Sequence, residues 1–130
     1  MGKGYAWVFS PKARTPPENE KRRIEAFSEK LIKELKSSLP NPHKEWNYVT
    51  DVYSKWRGGR FYLMEKYACP GPRALSPFFE VGMARLDCIG EGKYAVYAMR
   101  HNGQWMPIRF NESLNSCLKE LAQNEWFKIH

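Results

Sequence analysis

The sequence has little cysteine, and the three it has build no framework. Cys69, Cys88 and Cys117 are odd in number and far apart. That argues against a disulfide-stapled fold and for reduced thiols in a cytoplasmic protein. Paired metal-ligand spacings are missing too. There is no C-x-x-C and no H-x-x-x-H, so neither a zinc centre nor any cofactor is expected. No apolar run approaches the length of a membrane span. The opening residues show no charged-then-apolar targeting pattern. Met1-Gly2 is followed by Ala6 where an acylation pattern needs Ser or Thr. There are no internal repeats and no low-complexity tract. No link between strand-like runs is long enough for a crossover helix, which excludes a parallel sheet.

What is present is aromatic and basic. Aromatics make up 15% of the 130 residues, so much of the core must be aromatic. The length suits one domain over residues 1–130, with 1–16 as an N-terminal segment. The formal charge of +7 is lopsided. Residues 1–60 hold 13 Lys/Arg and 7 Asp/Glu, a net +6; residues 61–130 hold 8 and 7, a net +1. Asymmetry of this kind points to an anionic partner. The plainer account is a solvated surface that keeps the protein soluble.

Periodicity places the elements. In residues 3–10, Tyr5, Trp7 and Phe9 share one side of an extended chain, which suits a short edge strand. Thr15-Pro16-Pro17-Glu18 opens a helix, with Thr15 as cap and Pro at the first position. Ile24, Phe27, Leu31, Leu35 and Leu39 follow at helical spacing, and Pro40 ends it. Residues 46–57 alternate as a long strand. Gly58-Gly59 turns it, and 60–69 return. Trp56 then faces Phe61, Tyr53 faces Met64, and Asp51 faces Lys66. One face of this hairpin holds Lys55, Arg57, Arg60 and Lys66, interleaved with Tyr53 and Tyr62. Residues 70–77 are proline-rich and cannot join a ladder. Residues 78–89 form a third strand. The last hairpin runs from Lys93 to Phe110 around Asn102-Gly103, a strong two-residue turn signal. That turn sets Met99 opposite Met106, Tyr97 opposite Ile108 and Ala95 opposite Phe110 as an apolar face. The other face carries Arg100 opposite Trp105, Ala98 opposite Pro107 and Val96 opposite Arg109. Asn111 caps a final helix with Leu114, Cys117, Leu118 and Leu121 as its stripe. The order predicts an α+β fold: a five-stranded antiparallel meander with an N-terminal helix and a short C-terminal helix on one face, a cystatin-like or related roll.

No catalytic constellation stands out. His101 is the one mid-sheet histidine that could serve Cys69 or Cys88 as a base, and its neighbour Asn102 suggests turn chemistry instead. Of the strand carboxylates, only Glu65 points toward the apolar face. The Cys69–Glu80 loop brackets Arg73 and Ser76 with rigid prolines, and long ordered loops often carry function.

Two stretches then bring a resemblance. KYACPGPRALSPFFE and MRHNGQW resemble a small bacterial family of domains of unknown function that share a K-Y-x-C-P-G-P-x-A-x-S-P-F-F-E box and an M-R-H-x-G-x-W box. The resemblance covers about residues 46–121. It implies a stand-alone α+β domain in the bacterial cytoplasm and brings no activity with it. It points to Cys69, Pro70, Gly71, Pro72, Ser76, Arg100, His101, Gly103 and Trp105.

The leading expectation is a non-catalytic binding module for an anionic partner, nucleic acid or an acidic protein surface. Lys55, Arg57, Arg60 and Arg100 would supply charge, and Tyr62 and Trp105 flat contact. One alternative is a protein that self-associates as a homo-dimer. The other is a small ligand carrier or enzyme with a pocket near Cys69, Arg73 and His101.

Overall fold

A computed structural model describes residues 12–129 of the chain; the edge strand expected at 3–10 lies outside them. Helix α1 spans Glu18–Lys36. Five strands follow: β1 Tyr48–Arg57, β2 Arg60–Ala68, β3 Phe78–Gly90, β4 Lys93–Met99 and β5 Trp105–Glu112. Helix α2, Leu114–Gln123, and a short 3₁₀ turn, Glu125–Phe127, complete the order. The strands form one antiparallel sheet in sequential order, β1-β2-β3-β4-β5. This is the α+β meander that the alternation predicts.

Both helices cover the same face. Ile24, Leu31 and Leu35 of α1 and Leu114, Cys117 and Leu121 of α2 meet Val52, Phe61, Leu63, Leu86 and Val96 in one core. Each fully buried Leu or Ile side chain contributes about 1.5–3 kcal/mol by leaving water. Polar ties fasten the helices at the margins of this core. The hydroxyl of fully buried Tyr94 donates to Glu20 Oε1 at 2.6 Å; burial and that bond push its pKa upward. Trp56 Nε1–H donates to Glu25 Oε2 at 3.0 Å. Arg109 of β5 binds Glu120 of α2 at 2.7 Å, which holds that carboxyl below its usual range.

The helix caps differ from expectation. Helix α1 begins after Pro17 with no side-chain cap, so Thr15 does not fill that role. The helix starts two residues later than a Thr15 cap would place it, which puts Pro17 in the cap position, and proline has no side-chain acceptor to offer. The helix ends at Lys36, ahead of Pro40, and Leu39 packs on the core from outside the helix. For α2 the cap is Ser113, whose hydroxyl accepts from Ser116 N–H at 3.2 Å. Asn111 instead lies in β5 with φ +58.

The first hairpin keeps its expected register. Trp56 faces Phe61, Tyr53 faces Met64 and Asp51 faces Lys66. Gly58 and Gly59 both have positive φ, 58° and 81°, as a two-residue turn between twisted strands requires. A Cβ on Gly59 would also stand 3.2 Å from the Arg14 carbonyl oxygen. That approach lets the N-terminal segment lie alongside β3, where Arg14 N–H donates to the Cys88 carbonyl at 2.8 Å.

The last hairpin overturns its expected register. Met99 faces Trp105, Ala98 faces Met106 and Tyr97 faces Pro107. The turn is longer than two residues: Arg100 N–H donates to Gln104 O, and Asn102 Oδ1 accepts from Gln104 N–H. A slip of one residue moves every side chain to the opposite face. Tyr94, Val96 and Ala98 therefore face the helices, while Tyr97 and Met99 lie on the other side. Of the expected pairs only Val96 with Arg109 survives, rescued by bulges on either side of it.

Candidate binding face

The face turned away from the helices carries the basic and aromatic side chains. Alternation fixes them there. Lys55 faces Tyr62, Arg57 faces Arg60, Tyr62 faces Arg85 and Arg85 faces Tyr97 across successive ladders. Trp105 enters from β5. Its indole reaches back over β4, and its ring lies 5.9 Å from that of Tyr62 at an angle of 56°.

The reach of that indole depends on Gly82. A Cβ there would stand 2.7 Å from Trp105 Cη2 and 2.8 Å from Cζ2, closer than real atoms come. Glycine is thus a space requirement of the ring, with no turn involved. Nearby, Met83 is an extra residue between the pairs Leu63–Ala84 and Met64–Gly82, a bulge that bends the sheet.

Beneath the rings lies an ion cluster. Asp87 is 1% exposed. It accepts from Arg85 Nε and Nη2 at 3.0 Å each, the planar fork that arginine makes with a carboxylate. Arg60 Nε donates to the same carboxylate at 3.2 Å. The Arg85 guanidinium also lies 4.1 Å from the Tyr97 ring centroid and 5.4 Å from that of Trp105. The two-residue turn would set Arg100 beside Trp105; the cation over its ring is Arg85. At the far corner, the Tyr53 hydroxyl donates to Glu80, and this bond pushes the phenol up to about 12.

Of the residues singled out from the sequence, Lys55, Arg57, Arg60, Tyr62 and Trp105 share this face. Arg60 is held by Asp87, whereas Lys55 and Arg57 have no ion pair among the described residues. Arg100 and His101 sit apart, at the β4–β5 turn, on the rim of a cleft of about 670 Å³. Arg73 lines a second cavity, about 490 Å³, with Cys69 under the proline-rich loop. Arg73 and His101 therefore do not converge, and Cys69 lies in a different cavity from His101. Cys117 is buried at the helix–sheet boundary, and burial pushes its thiol up to about 12. Among the described residues no group of three His, Cys, Asp or Glu could hold a metal ion.

Reading along the strands misses Gly82, Arg85 and Asp87. One signal is available: Arg85 and Asp87 stand two apart in a strand, so they share a face, and opposite charges at that spacing can pair. Nothing local marks Gly82, because its neighbour comes from a strand more than twenty residues on.

The architecture defines the class: an α+β domain with one sheet face covered by both helices and an opposite face that carries charged and aromatic side chains. The chain belongs to the DUF3024 family, a domain of unknown function, which it matches over residues 13–128. No curated protein matches the chain, and no solved structure does. Among the described residues no helix is long and apolar enough to cross a membrane.

Proposed function

We propose that this protein is a non-catalytic binding module that takes single-stranded nucleic acid on its helix-free sheet face. The observation that carries the reading is the Tyr62–Trp105 ring pair standing on the same face as Lys55 and Arg57, two cations with no ion pair among the described residues. Flat rings stack on bases at about 1–3 kcal/mol each and tolerate any sequence. Lysine and arginine bind phosphates and release counterions. Arg60, Arg85 and Asp87 hold the rings and keep the face in place; Arg100, His101 and Arg73 lie outside it. The three free cysteines fit a reducing compartment, here the bacterial cytoplasm.

Fluorescence anisotropy with labelled mixed-sequence oligonucleotides, titrated with salt, tests the reading. Single strands should bind more tightly than duplexes. The double substitution Lys55→Glu/Arg57→Glu should flatten the salt slope by about 1.4, at roughly 0.7 for each phosphate no longer neutralised. Affinity that ignores salt removes the reading. Salt-dependent binding that is indifferent to Trp105→Ala would redirect it to an acidic protein surface, which needs cations but no rings.

A second reading, self-association, draws on the proline-rich loop. Leu75 is fully exposed, and Phe78 and Phe79 beside it are 47% and 38% exposed. If these residues join two copies, sedimentation should give a dimer that Leu75→Asp splits. A monomer at high concentration removes this reading.

A further inference from the structure

Strand β3 is longer than the strand beside it. It pairs with β2 all the way to Ala68–Phe78. On its other side, pairing with β4 stops at Ala84–Ala98. Among the described residues, Phe78–Met83 therefore have a strand neighbour on one side only. Strand β4 ends at Met99, and the turn that follows leads the chain away: Arg100 N–H bonds Gln104 O at 2.8 Å. The cleft of about 670 Å³ opens where β4 would have continued, with Glu80–Met83 as one wall. A free strand margin is a row of unsatisfied donors and acceptors and a template for another strand.

The far wall is shaped too. Trp126, which lines the cleft, donates from Nε1–H to the Met99 carbonyl at 3.3 Å, which ties the indole to the end of β4. Arg100 and His101 stand at the turn end without an ion pair among the described residues. Lys128 also lines the cleft, its Nζ on the Ala122 carbonyl at 2.7 Å. On the β2–β3 side the charges are Glu65 and Glu80, the latter engaged by Tyr53. The cleft is thus basic at the turn and acidic along the opposite wall.

We propose that the Phe78–Met83 margin is a docking site for an extended segment of a partner protein, which adds as a strand beside β3. Such binding draws affinity from main-chain hydrogen bonds and specificity from alternate side chains. Here one apolar side chain packs against Trp126 and Met83, and an acidic one at the turn end meets Arg100 and His101. Arg100 and His101, with no ion pair among the described residues, suit a segment that brings its own carboxylate to that end. The site adjoins the helix-free face at Gly82 and does not rest on the nucleic acid reading.

Amide spectra of the isotope-labelled full chain, titrated with short blocked peptides of alternating Val and Thr, test the proposal. The panel varies the end residue among Asp, Thr and Lys and includes an N-methylated copy of the Asp peptide. The Asp peptide should shift the amides of Val81, Gly82 and Met83 and the Trp126 indole. Arg100→Ala/His101→Ala should weaken it about tenfold, as expected when a charge-assisted hydrogen bond is removed. N-methylation, which removes the ladder donors, should abolish binding. The proposal is overturned if no panel member binds more tightly than about 1 mM, if the N-methylated peptide binds equally well, or if the shifts fall elsewhere. Protection of the same amides by self-association alone would assign the margin to a second copy and also overturn it.

Discussion

Replacing Asp87 by Asn is expected to cost about 3–5 kcal/mol of stability, the usual result of removing one partner from a buried ion pair. The two arginines differ in whether they can escape to water. Arg60 is 35% exposed in its side chain and can turn to water, but Arg85 is 10% exposed. Without the carboxylate, the Arg85 guanidinium remains beneath Trp105 and Tyr97 with no counter-charge. Asn keeps the shape of Asp and removes the charge, so the loss reports electrostatics and not a cavity. Denaturant unfolding should show a lower midpoint with an unchanged slope. Adding Arg85→Met should recover most of the loss, because two groups of similar size without a buried charge leave little unsatisfied. A loss below about 1 kcal/mol in the single variant would mean that water reaches Arg85, and the cluster would no longer explain how the rings are held.

This cluster also shows where a sequence is legible and where it is not. The first hairpin can be read because its turn is chemically forced. Two adjacent glycines, both at positive φ, permit essentially one turn length, and the alternation on either side then assigns the faces. The last hairpin contains Asn102-Gly103, an equally strong signal, yet Asn102 uses its side chain on Gln104 N–H and lengthens the turn. Register follows, and with it the faces of Tyr97 and Met99. Nor can burial correct the reading, since Tyr94 through Ala98 are all buried. Strand β4 lies inside the sheet with its side chains buried on both faces, so its apolar run has no alternation to detect.

The candidate face divides along the same line. Lys55, Arg57 and Tyr62 fall on it by counting residues within one hairpin. What holds the face together comes from pairs that no local count reveals. Asp87 joins an arginine two residues away to one 27 residues away, and Trp105 crosses β4 to rest on Gly82. The unpaired margin of β3 is hidden for a related reason. It depends on where β4 stops, and a two-residue turn at Asn102-Gly103 would carry that strand past Met99.

Gly82→Ala should act on both stability and binding, and the two effects can be separated. The new methyl would stand 2.7 Å from the Trp105 indole, so the ring must lift. Overpacking of this kind costs about 1–3 kcal/mol. Lifting the ring also parts it from Arg85 and Tyr62. If Trp105 stacks on a base, affinity for single-stranded oligonucleotide should fall about 5- to 150-fold, the equivalent of 1–3 kcal/mol of stacking. Trp105→Ala should cause a similar fall without the clash. In the double variant the methyl keeps only an ordinary contact, 3.6 Å to Met99 Cε, so its stability should match that of Trp105→Ala alone, and the cycle should show strong coupling. Full oligonucleotide affinity in Gly82→Ala would remove Trp105 from the interface and leave the nucleic acid reading without its ring pair. Because Gly82 also lines the cleft beside β3, Trp105→Ala is the cleaner discriminator between the two surfaces. It adds no atom beside Gly82, so it should weaken oligonucleotide binding far more than peptide binding at the β3 margin, where the ladder groups are main-chain.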